Sequence, residues 1–97
     1  MRDRGYFFDV IAYRNSRRVR LMDHETRGVY REIMDEIALH GSVPNDPQKI
    51  AALINTPSDV VARVWPHIQN CLIATKADPD LLTSERMIKE RRERDRI

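Results

Sequence analysis

Two helix-start signals ten residues apart constrain this chain more than any other feature of it. Asp46-Pro47 and Thr56-Pro57 each place a capping side chain directly before a proline. Proline suits the first position of a helix, where its missing N–H would have no intrahelical acceptor. Asp59, three residues after Thr56, falls near the positive end of the second helix dipole. The first helix of this pair draws its apolar face from Ile50, Leu53 and Ile54. In the second, Val61, Val64, Trp65, Ile68 and Leu72 recur at helical spacing as one buried stripe. Pro66 interrupts that helix on the side away from the stripe, where the freed Ala62 carbonyl can be hydrated and a bend is tolerable. Two short helices joined by a tight turn form a helix-turn-helix.

The flanking segments extend the pattern. Asp23 is a cap for an earlier helix, whose adjacent rows Val29, Ile33, Ile37 and Tyr30, Met34, Ala38 face a core, and Gly41 supplies the left-handed residue that ends it. "SVPNDP" has room only for a short edge strand. "CLIAT" and "DLLTSERM", separated by "KADP", predict an antiparallel hairpin. The tail has Met87 and Ile88 as anchors and then almost only charge, with Glu85, Lys89, Glu90 and Arg94 in the favourable i, i+4 order. The expected fold is therefore mostly α with a small β-hairpin: a winged-helix domain, a helix-turn-helix plus wing. Its parts are an N-terminal arm over residues 1–22, a core over 23–83 and a charged C-terminal helix over 84–97. "YFFDVIAY", residues 6–13, alternates too poorly for a half-buried strand and is expected to lie on the core as an extended or short helical arm.

Composition narrows the function. The 97 residues, 41% apolar and 33% charged, suit one ordinary globular domain. No apolar run approaches the roughly 20 residues needed to span a bilayer, and the N-terminus does not resemble a secretory signal, so a cytoplasmic location is expected. The lone Cys71 lies among Ile68, Leu72 and Ile73 and reads as a small buried hydrophobe. His24-Glu25 opens like a zinc-binding H-E-x-x-H helix, but position 28 is glycine. Without a second imidazole one turn on, the metal has no site. Serines fall at turns and caps, and no glycine-rich loop exists to cradle phosphates, so neither an enzyme nor a cofactor is expected.

The formal charge of +2 is unevenly spread. Residues 1–22 carry six arginines against Asp3 and Asp9, residues 23–40 five acids against Arg27 and Arg31, and residues 83–97 six bases against four acids. Separation of this kind predicts one cationic surface suited to an anionic polymer. In a helix-turn-helix the second helix enters the major groove of double-stranded DNA. Its outward set here is Asp59, Arg63, His67 and Asn70, with Gln69 at the flank. Arg, Gln and Asn have the bidentate geometry that guanine and adenine edges require. With one positive charge, that helix needs help from Arg14, Arg17, Arg18 and Arg20, from Lys76 at the wing tip and from the tail arginines. The competing expectation is a protein-interaction module, self-associating or docking another protein, with little direct contact to DNA.

Leu21-Met22, Glu25, Arg27-Gly28, Tyr30, Gly41, Pro44, Asp46 and Trp65-Pro66, followed by a hairpin and "LTSERM", resemble the YdaU-like domain of unknown function found in prophages. The resemblance spans about residues 6 to 92 and centres on E-x-R-G-x-Y. The family's proline- and tryptophan-rich start is replaced here by "FFDVIAYRN". The resemblance implies a winged-helix-like domain in phage or prophage DNA replication, akin to replisome organisers, with transcriptional control as a close variant. It implies a replicative helicase or a helicase loader as protein partner, and transfers no binding residue. Gly28, inside a helix, is expected to mark close packing of that helix against the N-terminal arm or the last helix of the pair.

Overall fold

The computed structural model describes residues 16–85 and residue 88. Helix α1, Arg17–Arg20, is a single turn that buries Val19 and is followed by the buried Met22. The core thus reaches back into the segment read as an arm. Helix α2, His24–His40, starts where Asp23 Oδ1 accepts a 2.8 Å hydrogen bond from the Thr26 N–H. It stops at Gly41, whose φ of 93° is left-handed and whose N–H donates to the Ile37 carbonyl. Both predicted rows of α2 are buried, with Ile33 fully so.

Strand β1, Val43–Pro44, leads to helix α3, Pro47–Leu53, where Asp46 Oδ1 accepts from the Gln48 N–H at 3.0 Å. Helix α3 ends in a Schellman turn: Thr56 N–H donates to the Ala51 carbonyl, Asn55 N–H to that of Ala52, and Asn55 takes φ 53°. Helix α4, Ser58–Ile68, follows, then a 3-10 turn, Gln69–Cys71. Strands β2, Ile73–Ala74, and β3, Leu81–Thr83, form the expected antiparallel hairpin. Strand β3 also pairs with β1, so the sheet order is β1-β3-β2, all antiparallel. Val43 stands opposite Leu82 and Ala74 opposite Leu82 on its other side, which centres the buried Leu82 in the sheet. Pro44 is tolerated because β1 is an edge strand, where a missing N–H breaks no ladder on the solvent side.

The core joins Ile33, Met34 and Ile37 of α2, Ile50 of α3, the Val61, Val64, Trp65 and Ile68 stripe of α4, and Leu72, Val43 and Leu82. Burying one such aliphatic side chain stabilises the fold by roughly 1.5–3 kcal/mol. Pro66 lies inside α4 and is exposed, on the side away from the stripe.

Four local expectations need correction. Leu53 is 50% exposed, because α3 turns Ile50, Ala51 and Ile54 inward and Leu53 lies off that face. Thr56 does not cap α4: its hydroxyl donates to the Ile54 carbonyl at 3.2 Å, the helix opens after Pro57, and no side chain caps it. Cys71 is half-buried at the edge of the core. Gly28 is exposed, and among the described residues nothing lies within 4 Å of where its Cβ would stand, so α4 does not crowd it; the alternative expectation, packing against the arm, falls on residues 1–15, outside the described residues. The segment 6–13 and the tail beyond Glu85, except Ile88, lie outside the described residues. The Ile88 N–H donates to the Ser84 carbonyl at 3.1 Å, one helical turn past β3.

Candidate nucleic-acid interface

The stripe that anchors α4 fixes which of its residues face outward. With Val61, Val64, Trp65 and Ile68 buried, Asp59, Arg63, Pro66 and His67 are left exposed, and Gln69 and Asn70 continue the exposed surface into the 3-10 turn. Asp59, Arg63, His67 and Asn70, with Gln69, are the outward set expected from the sequence, and Pro66 lies among them. This surface is not isolated, however, because the N-terminal turn of α2 lies alongside it.

The contact that defines this surface is an ion pair between the two helices. Arg63 Nη2 donates to Glu25 Oε2 at 2.7 Å and Arg63 Nε to Glu25 Oε1 at 3.1 Å, a fork-on-carboxylate arrangement. The side chains remain 57% and 44% exposed, so solvent screens the pair. The Glu25 hydrogen bonds and charge raise the guanidinium pKa above its ordinary value, with smaller help from Asp59 and Asp23. Asp23 is held below the usual carboxylate range, first by hydrogen bonding with Thr26 and then slightly by His67 and His24. The acidic start of α2 therefore faces both Arg63 and His67.

At the other end of the surface, Arg18 of α1 donates a long 3.5 Å hydrogen bond to the Asn70 carbonyl. A groove of about 550 Å³ runs between these elements, lined in part by Arg18, Leu21, Asp23, Pro66, His67 and Asn70. The structure thus brings Arg18, Arg63, His67 and Asn70 onto one continuous surface with Asp23, Glu25 and Asp59. Arg17 and Arg20 are exposed on α1, and Gln69 is exposed beside Asn70. Lys76 is exposed in the β2–β3 turn, which also holds Asp78 and Asp80. In that turn the Thr75 hydroxyl donates to the Asp78 carbonyl and accepts from the Asp78 N–H, and Asp78 Oδ1 accepts from the Asp80 N–H. Arg14 and the tail arginines lie outside the described residues.

Charge is the main departure from expectation. Residues 16–85 contain eight Arg and Lys against ten Asp and Glu, so the positive balance of the chain comes from residues 1–15 and 86–97. In the sequence Glu25 belongs to a broken metal motif and to the E-x-R-G-x-Y segment; nothing there pairs it with a residue 38 positions away. Among the described residues, no group of three or more His, Cys, Asp or Glu could hold a metal ion, and no helix is long and apolar enough to cross a membrane. No family model, no curated protein and no solved structure matches this chain.

Proposed function

We propose that this chain is a non-enzymatic winged-helix domain that binds double-stranded DNA. One observation carries the reading. A helix, an edge strand, a helix pair joined by a tight turn and a hairpin follow one another with sheet order β1-β3-β2, and leave the outward face of α4 exposed. That is the arrangement by which a helix-turn-helix offers its second helix to the major groove and its hairpin to the flanking backbone. Arg63, His67, Gln69 and Asn70 supply donors suited to base edges, while Arg17, Arg18 and Arg20, with Arg14 and Lys76, supply phosphate contacts.

A role in phage- or prophage-type replication initiation rests on the resemblance of the Glu25-x-Arg27-Gly28-x-Tyr30 segment and the Trp65-Pro66 pair to the YdaU-like domain, and transcriptional control is the variant that the same fold permits. Anisotropy titration of the protein with fluorescent duplex at several salt concentrations tests the binding. Affinity should fall steeply as salt rises, because phosphate contacts release condensed counterions. No association at about 50 mM salt, where those contacts are strongest, would overturn the proposal.

A second reading is favoured by the Glu25–Arg63 pair and by Asp78 and Asp80 in the hairpin turn. These place carboxylates where phosphates would approach, and suit a module that docks a second copy, a helicase or a helicase loader. Light scattering with and without residues 84–97 separates the cases. A dimer that dissociates on truncation supports self-association; a monomer in both forms counts against it.

A further inference from the structure

Resting on the DNA-binding reading, we infer that Glu25 is a positioning residue that sets the base selectivity of α4 by holding Arg63 for a guanine edge. An arginine on a helix surface has several freely rotating bonds, and a free one spends its charge on whichever phosphate is nearest. Arg63 is restrained instead. Its Nε and one Nη2 hydrogen are bound to the two oxygens of Glu25 at 3.1 and 2.7 Å. The guanidinium is planar with five N–H donors, so these two bonds leave the Nη1–Nη2 end edge unspent. The side chain is 57% exposed, and that end edge matches the O6 and N7 acceptors of guanine in the major groove.

The carboxylate has a second effect of opposite sign. With Asp59 and Asp23 also raising the pKa of Arg63, the neighbourhood is rich in negative charge. Such a surface repels phosphates in general and accepts a duplex only where a base edge compensates. Glu25 thus weakens binding to arbitrary DNA and sharpens the preference for one base. A contact serving only to join α2 to α4 would still repel phosphates but would leave the base preference unchanged.

The experiment is selection from a pool of random-sequence duplexes with the full chain, its Glu25→Gln variant and its Arg63→Ala variant, followed by affinities on the selected duplex and on a scrambled one. The expected wild-type sites share a guanine, and Arg63→Ala loses the preference for it. Glu25→Gln should bind scrambled duplex about twofold or more tightly, from removal of a like charge. Its ratio of selected to scrambled affinity should fall at least about fivefold, the low end of what one base-reading arginine contributes. Circular dichroism melts show whether the variants stay folded, and Glu25→Ala provides a second carboxylate deletion. A Glu25→Gln protein that keeps the same guanine preference overturns the inference, as do wild-type sites indifferent to Arg63→Ala; both leave DNA binding standing. A wild-type protein that retains no duplex overturns the DNA-binding reading, and this inference with it.

Discussion

Replacing Gly28 by alanine should stabilise the protein. The residue lies inside the 17-residue helix α2, four positions past its first residue, and is exposed. Its backbone is not in the left-handed region, which among the described glycines only Gly41 occupies, so alanine adopts the same conformation without strain. A methyl group there meets nothing within 4 Å among the described residues. What remains is the conformational freedom that glycine gives the unfolded chain and the poor helix propensity it brings to the folded one. At an exposed interior position this difference is about 0.5–1 kcal/mol. A chain of this size has an unfolding entropy near 0.2 kcal/mol per degree, so the gain corresponds to roughly 2 to 5 °C in Tm. Thermal melts followed by circular dichroism, with urea titrations at one temperature, measure it. An unchanged or lower Tm would refute the reasoning.

Gly41→Ala should lower stability by about 1 kcal/mol or more, because φ 93° is a conformation L side chains rarely adopt; a melt equal to wild type would show that the C-terminus of α2 rearranges at no cost. Ile33→Ala, at a site with no solvent exposure, should cost about 2–5 kcal/mol in urea unfolding; a loss under 1 kcal/mol would mean that the helix interface collapses around the deletion. Asp23→Asn should remove part of the acid sensitivity of folding. Because hydrogen bonding with Thr26 lowers the folded-state pKa of Asp23, its contribution is present above the ordinary carboxylate pKa and is lost as pH falls through the folded value. Melts from neutral to acid pH should therefore converge for wild type and variant at the acid end; parallel curves would contradict that assignment.

What the sequence revealed and what it concealed divide along a physical line. Asp23 and Asp46 were legible as caps because a capping side chain acts within three residues of itself. The rows of α2 and the stripe of α4 were legible because burial repeats with the helical period. Leu53 was misplaced because α3 has only seven residues, too few for the period to fix a face; burying the small Ala51 chooses it. Thr56 fits the pattern of a cap because it stands directly before Pro57. Its backbone N–H closes the Schellman turn on Ala51 instead, and its hydroxyl turns back to Ile54. Asn55 gave no signal stronger than its tolerance of left-handed backbone. Of the candidate interface, the outward set on α4 followed from periodicity. The Glu25–Arg63 pair did not, because it joins two exposed residues from separate helices and carries no pattern in either.

Under the proposed function, the outward face of α4, with Arg18 of α1 at its end, meets duplex DNA. The most direct measurement is an amide NMR titration of the full chain with a duplex taken from random-pool selection. Perturbed signals should concentrate at residues 17–20, 59–70 and the β2–β3 turn, with the buried positions of α2 unmoved. Saturable binding that leaves residues 59–70 unperturbed, or no perturbation at low salt, would contradict it.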